Sequence, residues 1–103
     1  MDPPEVSLLV VGPDEVHLIF SEILSSSITK DDIISVEITG LKGEGYIFTW
    51  TLSELVSAQE YSIKLNFEGE EIPSGTKISV KLRDSIQDFD DHTLTENTVS
   101  GEL

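Results

Sequence analysis

Apolar residues in this chain recur at every second position. Between Glu60 and Phe67, Tyr61, Ile63, Leu65 and Phe67 alternate with Ser62, Lys64 and Asn66, which puts the apolar set on one face of an extended strand. Glu15–Phe20 repeats the pattern, with Val16, Leu18 and Phe20 facing in and His17 and Ile19 facing the other way. Ile34, Val36 and Ile38 alternate with Ser35, Glu37 and Thr39, and Lys77–Leu82 carries Ile78, Val80 and Leu82 on one side. Tyr46–Leu52 sets Tyr46, Phe48 and Trp50 opposite Ile47, Thr49 and Thr51; bulk on both faces predicts a central strand. Val6–Val11 and a segment near Leu94–Val99 bring the total to about seven strands. The strands are separated by Gly12-Pro13-Asp14, Ser25-Ser26-Ser27, the glycine-rich link Gly40–Gly45 and Ser74-Gly75, which are turn-forming residues. One segment, Ser53–Gln59, reads as a helical turn or two, because Thr51-Leu52-Ser53-Glu54 has the form of a capping sequence.

Seven short strands with one apolar face each predict an all-β fold of two antiparallel sheets packed face to face. The core is expected to hold Val16, Leu18, Phe20, Trp50, Ile63, Leu65, Ile78 and Val80. Composition agrees, since alanine occurs once, at Ala58, and β-branched residues favour a pleated surface. The 103 residues amount to a single domain, 1–103. With no cysteine, the fold is closed by packing alone.

Charge narrows the partners. Six Lys and Arg stand against 20 Asp and Glu, a net charge of −14. Nucleic acid and anionic membranes are therefore disfavoured, because both are bound through Lys and Arg. No apolar run approaches the ~20 residues of a membrane helix, so direct membrane insertion is not expected. No basic-then-apolar leader opens the chain.

The densest chemistry lies in the loop Arg83–His92. Asp84, Asp88, Asp90 and Asp91 are four carboxylates within eight residues, and calcium takes six to eight oxygens from such loops. With Glu22 approaching from a neighbouring strand end, these five residues form the candidate calcium site, the one cofactor considered. The plainer reading is a solvated acidic loop in an acidic protein, with Arg83, the only arginine, neutralising part of it. Glu68, Glu70 and Glu71 around Gly69, and the pair Asp31-Asp32, read as polar turns. His17 and His92 are the only histidines, and no Gly-x-Ser-x-Gly or His-Glu-x-x-His pattern occurs, so neither a nucleophile elbow nor a conventional zinc site is expected. Tyr46 and Trp50 can stack on sugar rings, but Phe48 between them on the same face points to core.

Several motifs resemble those of bacterial Ig-like domains of the surface-layer and adhesin type. Val16-His17-Leu18-Ile19-Phe20-Ser21-Glu22 is similar to the family's apolar strand ending in Phe-Ser-Glu. Ser27-Ile28-Thr29-Lys30-Asp31-Asp32-Ile33 follows it as expected. Ser74-Gly75-Thr76-Lys77-Ile78-Ser79-Val80 and Ile86-Gln87-Asp88-Phe89-Asp90-Asp91-His92-Thr93-Leu94 match later motifs. Two positions depart: Asp91-His92 replaces the family's Gly-Asn, and Ile78 replaces an aromatic. The resemblance covers roughly residues 6–95. It implies an Ig-like β-sandwich and a non-enzymatic spacer module, excised from a larger multidomain protein of the cell surface or extracellular space, whose partners are neighbouring domains. Two alternatives accompany it: an adhesin-type module binding a protein or glycan through its end loops, and an accessory domain of a secreted enzyme.

Overall fold

The computed structural model describes residues 3–42, 45–54, 59–68 and 72–103. Seven strands occur among them: β1 (Val6–Gly12), β2 (Glu15–Phe20), β3 (Ile33–Thr39), β4 (Phe48–Glu54), β5 (Glu60–Phe67), β6 (Lys77–Leu82) and β7 (Thr98–Glu102). A four-stranded antiparallel sheet has the order β1-β2-β5-β4, and a three-stranded sheet the order β3-β6-β7. This is the strand order of the seven-stranded Ig sandwich. The fold is all-β with two antiparallel sheets, as the alternation predicts, and its strand order is Ig-like, as the resemblance implies.

The period-two residues face each other across the sheets. Val16, Leu18, Phe20, Tyr61, Ile63 and Leu65 from one sheet pack on Ile33, Ile38, Ile78, Val80 and Leu82 from the other, all buried. The Phe20 and Tyr61 rings meet edge to face at 5.9 Å, a favoured aromatic arrangement. Leu24, Ile28 and Ile86 extend this core into the loops at one end, although the polar Ser25–Ser27 segment lies between two of them.

Four expectations are corrected. The third strand begins at Ile33, and a bulge between Ile33 and Ser35 adds one residue and reverses the phase. Ile33 is therefore buried, and Ile34 is 56% exposed. The strand containing Trp50 lies at an edge of its sheet; Trp50 is half-buried against the core, with Lys30 Nζ 5.4 Å from its ring centroid. The expected helical turn over Ser53–Gln59 begins with strand residues, since Ser53 and Glu54 pair with Ser62 and Tyr61; residues 55–58 lie outside the described residues. The last strand starts at Thr98, four residues later than expected. Of the acidic hairpin, Gly69, Glu70 and Glu71 lie outside the described residues, as do 43–44 of the glycine-rich link.

β1 and β7 stand side by side at the rim and run in the same direction. Pro4 O accepts a hydrogen bond from Thr95 N where they start, and Leu103 shares a hollow with Val10, Val11 and Gly12 where they finish. Gly101 permits this approach, because a Cβ there would meet Leu8 Cδ2 at 3.2 Å and Val10 Cγ2 at 3.3 Å. The molecule measures 44 × 22 × 21 Å. Sheets ~10 Å apart, with strands ~4.8 Å apart, account for the two short dimensions, so the strands run along the long one.

Candidate functional site

The pole where β1 and β7 begin gathers the acidic chemistry. β2 ends at Phe20, and the chain is then pinned by short contacts. Ser21 N donates to Glu5 O and Ser21 Oγ accepts from Glu5 N, both at 2.8 Å. Leu24 pairs with Asp88 as an isolated bridge, and Ser25 N and Oγ both donate to Gln87 O. These bonds draw the segment after β2 against the loop between β6 and β7. Glu22, Asp88 and Asp90 consequently share one shallow hollow, with Ile23 and Phe89 on its rim.

Asp88 organises that loop. Its Oδ1 accepts the backbone N–H groups of Asp90 and His92, each at 2.9 Å. Its own N–H donates to His92 O at 3.0 Å, and its carbonyl accepts from Asp91 N at 3.3 Å. The loop thus winds around one carboxylate. Asp91 takes the left-handed conformation at φ 64°, a position that Gly adopts freely and Asp tolerates. Where the resembled family has Gly, this chain reaches a left-handed turn with Asp.

Asp88 is 2% exposed. Its Oδ2 lies 3.6 Å from His92 Nδ1. Both atoms are buried and have no hydrogen-bond partner among the described residues. One atom each from Asp88, Asp90 and His92 lie within 4.8 Å of one another. The Glu22 carboxyl is held above its ordinary range, first by hydrogen bonding to Asp88, then by burial and by the charges of Asp88 and Asp90. Burial pushes the Asp88 carboxyl up, but the amide of His92, the Glu22 carboxyl and the amide of Asp90 together outweigh it and hold Asp88 low. As the pH falls, Glu22 therefore takes up a proton before Asp88 does.

Of the five carboxylates read as a candidate calcium site, Glu22, Asp88 and Asp90 come together. Asp91 is exposed and contributes backbone geometry, and Asp84 is exposed on the strand side of the loop and outside the convergent set. His92 joins the cluster, although counting oxygen donors passed over it. Its position four residues after Asp88 is the signal that marks it. Arg83 forms no ion pair among the described residues.

His17 lies elsewhere, half-buried on the outer face of β2. Its Nε2 is 2.6 Å from Glu15 Oε2 and its Nδ1 is 3.5 Å from Glu60 Oε2, so both nitrogens have carboxylate neighbours. The short 3₁₀ turn Lys30–Asp32 is closed by Asp32, whose carboxylate accepts from the N–H and hydroxyl of Thr29; Asp31 and Asp32 are turn residues, as expected. Tyr46, Phe48 and Trp50 are half-buried against the core. Phe89, at 71% exposure, is the aromatic side chain most open to solvent among the described residues.

The chain matches no protein-family model and no curated protein.

Proposed function

We propose that this chain is a non-enzymatic Ig-type spacer of a surface or extracellular protein, holding the segments attached at its two ends apart at a fixed distance. The observation that carries this reading is the course of the chain: it enters at the pole of Glu5 and Ser21 and leaves at the pole of Leu103, Gly75 and Val11, at opposite ends of a body 44 Å long. Covalently joined neighbours are then separated by the full length of the strands. Two antiparallel sheets with a continuous apolar core resist bending between those points. A net charge of −14 repels adjacent acidic modules and keeps them soluble.

The test is small-angle X-ray scattering of two copies joined end to end. The maximum dimension is expected to grow by about one module length, 44 Å. A compact, folded-back pair contradicts the spacer. Antibody labelling of intact and permeabilised source cells tests the surface location, with labelling confined to permeabilised cells counting against it.

One observation favours the adhesin-type reading. Ile23, half exposed, and Phe89 border the acidic hollow, and exposed apolar residues at a pole suit recognition by end loops. That reading expects the domain to bind a protein or glycan on an array and to lose the signal in Phe89→Ser.

A further inference from the structure

We propose that Asp88 Oδ2, His92 Nδ1 and the carboxylate of Asp90 form a binding site for one transition-series dication of the zinc class. This inference is independent of the spacer reading.

The starting point is a pair of orphaned atoms. Asp88 is 2% exposed, and its Oδ2 meets no donor among the described residues while Glu22 is ionised. His92 Nδ1 is buried beside it and has no hydrogen-bond partner among the described residues. Buried polar atoms are nearly always satisfied, and an unmet one costs about 1–3 kcal/mol or more when charged. The two do not satisfy each other, because 3.6 Å is too long for a hydrogen bond. Two ligands ~2.0–2.1 Å from one zinc at a tetrahedral angle stand ~3.3 Å apart, close to this spacing. A cation between them uses the lone pairs of both.

Donor chemistry selects the metal. Calcium takes oxygen donors, six to eight of them. Here one donor is an imidazole nitrogen, and two of the loop's carbonyls, those of Asp88 and His92, already accept backbone N–H groups. Imidazole suits zinc, copper, iron and nickel, and carboxylates also take manganese, with zinc above manganese in affinity. Coordination through Nδ1 requires the proton on Nε2, which is the tautomer that leaves Nδ1 a bare acceptor. The other Asp88 oxygen is held by two amides, so the ligand carboxylate is oriented before any metal arrives.

The experiment titrates zinc, manganese and calcium chlorides into the full chain after chelator treatment, followed by calorimetry and by thermal unfolding. One equivalent of zinc is expected to bind and raise Tm, more tightly than manganese and far more tightly than calcium. His92→Ala and Asp88→Asn should each weaken zinc at least ~10-fold. Asp88→Asn keeps the oxygen that accepts the two amides, so its metal-free form should still unfold cooperatively as a folded domain. His17→Gln should leave zinc binding unchanged and so separates this site from the second histidine. On nitrogen NMR, zinc should shift Nδ1 of His92. Absence of zinc binding overturns the proposal. So does zinc affinity indifferent to His92→Ala or Asp88→Asn, dependence on His17, or calcium binding tighter than zinc.

Discussion

The hydroxyl of Tyr61 accepts the backbone N–H of Ile28 at 2.9 Å, across a separation of 33 residues. It anchors the connection between β2 and β3 to the central strand β5, inside the core, where water cannot replace it. Tyr61→Phe keeps the ring against Phe20 but leaves the buried N–H of Ile28 without an acceptor. The expected loss is about 1–3 kcal/mol, read as a lower urea midpoint with an unchanged m-value. A loss within error would mean that the loop is held by Leu24, Ile28 and Ile86 alone.

The bulge in β3 yields a comparison between two adjacent isoleucines. Ile33 is buried and Ile34 is exposed. Ile33→Ala should cost about 2–4 kcal/mol through lost burial and a residual cavity, whereas Ile34→Ala should stay within about 0.5 kcal/mol. Chemical denaturation of both variants checks this. The reverse order would place Ile34 inward and remove the bulge.

Gly75 has φ +89° and donates its N–H to Leu103 O at 2.9 Å. A Cβ there meets only Leu41 Cδ2 at 3.4 Å, an ordinary contact, so the penalty for Gly75→Ala is one of backbone conformation. It should amount to about 1–2 kcal/mol. Gly75→Asn should cost less, because Asn tolerates the left-handed region. Equal stability of Ala and Gly at this position, by thermal unfolding, would contradict the conformation.

The Glu15 carboxyl is held below its ordinary value of 4.5, chiefly by its hydrogen bond with His17. A depressed value in the folded state makes the carboxylate stabilising above the unfolded value, and that contribution disappears as the pH falls through the folded one. Glu15→Gln lacks the ionisable group. The stability advantage of the wild type over this variant should therefore shrink as the pH is lowered from about 5 towards 3, followed by urea unfolding at each pH. A gap independent of pH would show that Glu15 does not ionise differently on folding.

A net charge of −14 on 103 residues opposes compaction through self-repulsion. Sodium chloride raised from about 0.02 to about 0.3 M shortens the screening length from ~20 Å to ~6 Å, and Tm should rise. A falling Tm would mean that attractive pairs such as Glu15–His17 outweigh the repulsion.

The strands that face the core through a single unbroken register were legible residue by residue. In β2, β5 and β6 each apolar position of the alternation is buried, apart from the half-buried Phe67 at the end of β5, because a period of two maps directly onto two faces. Legibility ended where a distant segment set the local geometry. Ile34, in phase with Val36 and Ile38, fits the alternation better than Ile33 does, and the pairing with β6 reverses that choice. The alternation places the last strand near Leu94–Val99, and the strand in fact runs over Thr98–Glu102. In the fold Gly101 is a strand residue, since β1 passes too close for a Cβ. Trp50 carries as much apolar bulk as any core residue, yet its strand has a neighbour on one side only.

The density of carboxylates after Arg83 was visible in the sequence, and so were Glu22, Asp88 and Asp90 as members of one cluster. Which acid turns inward was not. That depends on the amides of Asp90 and His92 closing on Asp88, and on Leu24 arriving from the segment after β2 to pair with it. The same closure brings in His92 and leaves Asp84 and Asp91 exposed.

Alternation of side chains by itself determined that this polypeptide forms two apolar-faced β-sheets and which residues line most of the space between them. That outcome is local, because successive side chains of an extended backbone must point to opposite sides. Only the tertiary structure decided the bulge phase, the edge position of Trp50 and the burial of Asp88 against His92. Those depend on contacts between segments tens of residues apart, where neighbouring backbone, and not the residue's own chemistry, determines which side chain is shut away from water.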